Sequence, residues 1–342
     1  MDLNDLTAPL PSVHQREFAR RNPEAVQQFT EKVARVAQPV APFKQLYLAC
    51  GGMEKLTHSS VLIFGADHGI ASWPEMAETD LLVRDFLHES LPVNKLSERW
   101  EIPVKLVDCG FKSHYQSDIQ YWIRQGSTFF TRKIVAGTSD CRYHAALTTR
   151  DFWRSVLLGK NLAQQQQEQG VQIAGITTMG AGQEADILAL AIAAELIQPE
   201  ENEAYWRSEL GEEYFQSVVK GARRHPKTHD IPTLLTLYGG ANAGVLLGFI
   251  LQASHSGMGL VIDNDYALLV FCLAQRLQPH LRDYALLGYE SDNPLYRALQ
   301  PYAPLKTGVM GACKTNAGHN AMYSMQHIKA TLELAYYSDH PD

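Results

Sequence analysis

Val171-Gln-Ile-Ala-Gly-Ile-Thr-Thr-Met-Gly-Ala-Gly-Gln-Glu-Ala-Asp186 contains the transition that decides the fold. Residues 171–176 form a short apolar run that reads as a buried strand, Gly180 and Gly182 interrupt it, and 185–197, rich in Ala and Leu, reads as a helix. The same order of strand, polar turn and helix recurs outward in both directions. Apolar runs at 60–65, 104–108 and 259–263 each give way to Asp, Gly, Thr or Asn residues, and helical periodicity marks 79–100, 149–168 and 241–253. This alternation predicts an α/β fold: a doubly wound, mainly parallel sheet with helices on both faces, its ligand site in the polar turns beyond the carboxyl ends of the strands. Val26, Phe29, Val33 and Val36 recur at helical spacing, so 23–37 is predicted as an amphipathic helix. It belongs to an N-terminal helical segment, 1–45, contributing to a smaller helical lobe; the α/β domain occupies 46–327, and 328–342 is the end of a C-terminal helix with its tail. The mixed-charge interval 200–229 lacks a strand signal and is read as helices outside the sheet.

Composition narrows the function classes. The 342 residues carry 30 Lys+Arg against 37 Asp+Glu, a net charge of -7, with no block of five or more like charges. Nucleic-acid affinity rests largely on counterion release to basic side chains, so no nucleic-acid partner is expected. Cys50, Cys109, Cys141, Cys272 and Cys313 are scattered and form no CxxC pair, which points to a reducing, cytoplasmic compartment. The N-terminus has no basic region followed by an apolar one, and the uninterrupted apolar part of 231–253 is only 245–251, so neither a secretory signal nor a membrane partner is expected.

Three turns carry candidate chemistry. Glycines at 180 and 182, just before a helix, let backbone N–H groups approach an anion such as phosphate, with Ala181 and Gln183 in the same turn; equally, the glycines can serve the turn alone. Asp67-His68 closes a strand and pairs a carboxylate with an imidazole, suited to proton transfer, or else Asp67 accepts backbone N–H groups while His68 packs against a neighbour. Asp263-Asn264-Asp265 offers ribose-hydroxyl acceptors or a loop cap. Neither the histidines nor the carboxylates fall at metal-ligand spacing, and no metal or cofactor is expected. Gly311-Ala-Cys-Lys-Thr-Asn-Ala-Gly318 lacks the Walker frame and a preceding strand.

Taken in order, these turns resemble the nicotinate-nucleotide:dimethylbenzimidazole phosphoribosyltransferase family, which assembles the lower ligand of cobalamin. Phe64-Gly-Ala-Asp-His-Gly-Ile70 is similar to the family's first strand and turn, and Val107-Asp-Cys-Gly-Phe111 to its Val-Asp-Val-Gly segment. Gly137-Thr138 with Ala145-Ala-Leu-Thr148, Gly180-Ala-Gly-Gln183, Gly239-Gly240, Leu260-Val-Ile-Asp-Asn264, and Ser291 with Pro294 continue the series. The resemblance implies a divergent phosphoribosyltransferase that moves ribose phosphate from a nicotinate-type mononucleotide to an aromatic base. It also implies a homodimer whose active sites receive residues from the partner chain. Asp67, His68, Thr79, Leu82, Gly180, Ala181, Gly182, Gln183, Asp263, Asn264 and Ser291 are the substrate-binding positions it indicates, with Ser291 as a hydroxyl donor to the phosphate.

The departures bear on catalysis. Lys314 stands where the family has the glutamate that deprotonates the benzimidazole, and Thr178 where it has a second glutamate. Leu82 replaces a glutamine facing the base, and Phe215 aligns with a lysine near the phosphate. An ammonium accepts no proton near neutral pH unless burial lowers its pKa by several units, so Lys314 suits a carboxylate or phosphate better, or simply reaches solvent from a loop. The alternative function is a catalytically inactive protein that keeps the fold and binds a nucleotide or corrinoid precursor.

Overall fold

The computed structural model describes residues 18–53, 55–115, 127–308 and 317–337. In chain order the first elements are α1 (Pro23–Val36), α2 (Ala41–Ala49), β1 (Ser59–Ala66), α3 (Trp73–Leu87), α4 (Pro92–Trp100), β2 (Val104–Gly110) and β3 (Ser127–Thr131). Then come α5 (Thr149–Glu168), β4 (Ile173–Met179), α6 (Gln183–Ala193), α7 (Glu203–Leu210), α8 (Glu212–Ala222), α9 (Ile231–Tyr238) and α10 (Ala241–His255). β5 (Gly259–Ile262), α11 (Asp265–Leu277), β6 (Ala285–Leu287), α12 (Pro294–Leu299), β7 (Leu305–Lys306) and α13 (His319–Tyr337) complete the series.

All strand pairs are parallel, in the order β3-β2-β1-β4-β5-β6-β7. From β1 the chain winds outward through β2 and β3, then crosses back to β4 and winds outward the other way. The sheet is apolar on both faces, as parallel sheets covered by helices must be. Along β1, Leu62, Phe64 and Ala66 join one core with residues of α5, α6, α10 and α11, while Val61 and Ile63 join a second with residues of α1 to α4 and α13. On β5, Leu260 and Ile262 divide from Val261 in the same way. The central strands β2, β1, β4 and β5 are thus single apolar runs in the sequence and were legible there. The missed strands, β3, β6 and β7, are edge or near-edge pieces; β7 is two exposed residues.

The predicted helix at 79–100 is two helices. Pro92 opens α4 and holds Leu91 in extended geometry (φ -69°, ψ 149°), because a residue before proline is disfavoured in the helical region. Upstream, α3 begins with a capping box in which the Glu75 carboxylate accepts the Ser72 amide N–H at 2.7 Å. The helices at 149–168 and 241–253 form as predicted and pack backbone to backbone. A Cβ on Gly248 would collide with the Val156 carbonyl oxygen, and one on Gly159 with that of Val245. Gly248→Val should therefore destabilise the fold by about 3 kcal/mol or more, since neither helix backbone can yield without moving its face of the core. Urea unfolding of the variant checks this, and an unchanged midpoint would contradict the close crossing.

Candidate active site

Three post-strand turns meet above the centre of the sheet, and one side chain ties them together. Asp67 follows β1; its Oδ1 accepts the N–H of Ala181 after β4 at 3.0 Å, and its Oδ2 accepts the N–H of Lys112 after β2 at 2.8 Å. The Asp67 amide donates to Gly110 O and its carbonyl accepts from Thr138 N, while His68 N donates to Ala181 O. These bonds fix the turn from Gly180 to Gln183 at the N-terminus of α6. Glycine is required at 180, where a Cβ would strike the Ala66 carbonyl, and favoured at 182, where φ is 75°.

His68 stands behind the turn, facing away from the cavity. Its ring is buried, with Nδ1 3.2 Å from Asp186 Oδ2 in the first turn of α6. The same Asp186 oxygen accepts from Tyr266 OH at 2.8 Å, and Tyr266 OH accepts the Gly240 N–H at 2.9 Å. Burial and the adjacent Asp186 push the Tyr266 hydroxyl pKa well up, so it keeps its proton and remains a donor. This column anchors α6 to the starts of α10 and α11.

In front of the turn, at the carboxyl ends of β4, β5 and β6, lies a cavity of about 250 Å³. Thr79 and Leu82 of α3, Thr178, Gly180 to Gln183, Asp263, Asn264 and Ser291 line it. Most of the substrate-binding and glutamate positions named from the sequence thus converge on one space. Asn264 caps α11 by accepting the Ala267 N–H at 2.9 Å, and its Nδ2 donates to the hydroxyl and carbonyl oxygens of Thr178, at 2.9 and 3.0 Å. Asp265 accepts from Tyr289 OH and Ser291 Oγ, both at 2.8 Å. Among the described residues these bonds pin the β4, β5 and β6 turns to one another.

The cavity's electrostatics are lopsided. Glu75, Glu78, Glu184, Asp263, Asp265 and Glu290 line it, and among the described residues no Lys or Arg does. The backbone N–H groups at the start of α6, aligned with its dipole, are therefore the feature that favours an anion. Asp263 is 4% exposed, and Asn320 and the N–H groups at the start of α13 face its carboxylate without a well-aligned hydrogen bond to either oxygen. Burial pushes its pKa up to about 8, although Gly318, Asn320 and Ala321 at the N-terminus of α13 act in the opposite sense. Thr177 Oγ1 and Gln183 Oε1, also on the lining, are likewise buried without partners.

Comparisons with known proteins agree with this geometry. The family model DBI_PRT, described as phosphoribosyltransferase, matches residues 24–337. The chain belongs to that family. It is 23% identical over 290 residues to the nicotinate-nucleotide--dimethylbenzimidazole phosphoribosyltransferase of Shewanella piezotolerans, covering 82% of each chain. It is likewise 23% identical over 273 residues to that of Nitratidesulfovibrio vulgaris, covering 75% of this chain and 73% of the relative. The crystal structure of the Thermus thermophilus protein of the same name superposes with a TM-score of 0.74 at 22% identity, covering 92% of this chain and 96% of that one. This last likeness establishes the shared fold.

Within this phosphoribosyltransferase fold several sequence expectations need revision. Asp67 and His68 do not line the cavity; the carboxylate accepts backbone N–H groups and the imidazole packs within the column, which is the alternative reading of that pair. Ser291 gives its hydroxyl proton to Asp265 and accepts the Asn293 N–H, so it is not a free donor for phosphate. Phe215 is buried in α8 within the core, away from the cavity. Lys314 falls outside the described residues. Conversely, Thr177, Tyr205, Tyr289 and Asn320 line the cavity unannounced by any motif. Asn320 had one signal, its place two residues after Gly318 at the opening of an apolar-striped helix.

Removing the Asp67 carboxylate should leave the Ala181 amide buried without an acceptor and free the α6 turn. Asp67→Ala is expected to lose about 2–4 kcal/mol of stability, the sum of two hydrogen bonds to a charged group, and to weaken binding of inorganic phosphate. Paired denaturant melts and calorimetric titration check both effects; a variant with wild-type stability would contradict the knot.

Proposed function

We propose that this phosphoribosyltransferase moves ribose 5-phosphate from a nicotinate-type mononucleotide to an aromatic base, as the names of its relatives suggest, and does so in the cavity beside α6. The observation that carries the reading is the junction of a preorganised anion cradle at Gly180 to Gln183 with a carboxylate-lined wall. In this reading the phosphate accepts N–H groups at the start of α6 and the ribose lies over the Asp263-Asn264 turn. A lone pair on the acceptor nitrogen forms the bond to ribose C1′ as the C1′–N bond to the pyridinium breaks, its electron pair returning to the nicotinate ring. Positive charge builds on the ribose in between, and fixed carboxylates stabilise it most where water is excluded.

The wall facing the base differs from the family pattern at Leu82, an apolar side chain on the α3 rim. This supports an acceptor pocket shaped by apolar contact at that point, and hence an acceptor preference of its own. A homodimer is part of the same proposal. Its support is the outer face of α3, where Trp73 and Leu81 are 78% and 59% exposed on the helix whose other side lines the cavity. We place the enzyme in the cytoplasm, supported by the free thiols of Cys50, Cys109, Cys141 and Cys272.

The test is incubation of the purified chain with nicotinate mononucleotide and a panel of benzimidazoles and purines, following nicotinate release and the new riboside phosphate. Azole-dependent release is expected, with a best acceptor other than dimethylbenzimidazole. Nucleotide binding with no release for any acceptor would instead identify an inactive binding protein. Sedimentation of the same preparation should give a dimer at micromolar concentration, and a monomer would contradict the assembly.

A further inference from the structure

Transfer to an aromatic base bearing N–H requires a proton acceptor, and the family's usual carboxylates are replaced in this chain by Thr178 and Lys314. Thr178 cannot serve, because its hydroxyl is held by Asn264 and an alcohol is far too weak a base. The carboxylates on the cavity lining differ in what their oxygens already do. Glu75 accepts from Ser72 at the start of α3, Glu290 from Lys306 at 2.6 Å, and Asp265 from Tyr289 and Ser291. Glu78 is exposed on the rim. Glu184 is only partly buried at the start of α6, whereas Asp263 is buried with neither oxygen in a well-aligned hydrogen bond, and it sits on the turn that ends β5, on the same lining as the α6 cradle.

Resting on the transferase reading, we propose that Asp263 is the base of this enzyme: it takes the N–H proton of an imidazole-type acceptor as the other ring nitrogen bonds to ribose C1′. The proton moves from ring nitrogen to a carboxylate oxygen, the acceptor leaves neutral, and nicotinate departs with the electron pair of the broken bond. No further reactant is needed. Asn320 and the amides at the start of α13 face the carboxylate and steady its charged form. The charged groups sharing its cavity are Asp265 on its own turn, Glu184 of α6, Glu75 and Glu78 of α3, and Glu290 after β6; His319 stands one residue before Asn320 on α13. All the carboxylates disfavour a second negative charge, so they act in the same direction as burial. Burial pushes its pKa up to about 8, which makes it a stronger base when it ionises.

The decisive comparison is between benzimidazole and 1-methylbenzimidazole, which has a nucleophilic nitrogen but no N–H to lose. In Asp263→Asn the ratio of benzimidazole to 1-methylbenzimidazole transfer should fall by about 10²–10⁴ relative to wild type, the usual worth of general-base help. Wild-type kcat with benzimidazole should rise with pH through a midpoint near 8 and level off above it, and this limb should vanish in Asp263→Asn. Asp263→Glu, which keeps a carboxylate, should restore part of both behaviours, and cooperative urea unfolding monitors that the variants are folded. An unchanged ratio, with both acceptors slowed alike, would show that Asp263 only stabilises ribose charge and would overturn the assignment, as would a pH limb that persists in Asp263→Asn. Absence of azole-dependent nicotinate release from the wild type would overturn the transferase reading and this assignment together.

Discussion

Two oxygens of one buried carboxylate, Asp67, accept backbone N–H groups from turns that follow two other strands, and the shape of the cavity follows from that constraint. β2, β1 and β4 are neighbours at the place where the winding of the sheet reverses, so their exit turns diverge unless something holds them. Asp67 does so with short charge-assisted hydrogen bonds. Once Ala181 is held, the glycines on either side are needed for contact and dihedral reasons, and the first amides of α6 point into the cavity without further rearrangement. The buried column from His68 through Asp186 and Tyr266 to Gly240 fixes the same helix from behind. The site is held from two sides by polar groups that do not line the cavity.

The charge distribution decides what such a site can stabilise. A cradle of amides is the cavity's positive feature among the described residues, and everything around it is carboxylate or neutral. An anion fits at one end only, while cationic character is favoured over the rest of the space. A nucleotide with a phosphate at one end and a pyridinium at the other has that polarity, and so does a ribose on which positive charge is building. Burial raises the cost of ionising Asp263, against the opposing pull of Asn320 and the amides at the start of α13.

Much of this was legible in the sequence because of the sheet. Strands covered on both faces are continuous apolar runs, so β1, β2, β4 and β5 stood out, and the polar residues directly after them named most of the cavity. β6 and β7 were illegible because three and two residues carry no periodicity. The role of Asp67 was illegible for a different reason: sequence places a carboxylate after a strand but cannot say whether its lone pairs face a ligand or the backbone of a distant turn. Thr177 was hidden inside a strand, where alternation assigns it only to a face. Asn320 belongs to a helix more than fifty residues beyond the β5 turn it faces, and only the fold brings the two together.

The account stands or falls on where the phosphate goes. A crystal structure with nicotinate mononucleotide bound should place the phosphate on the backbone N–H groups of Gly180, Gly182 and Gln183, with the Ala181 and Lys112 N–H groups still donated to Asp67 behind them. A phosphate found elsewhere, with this turn closed over by side chains, would contradict the claim that the Asp67 knot exists to present an anion site.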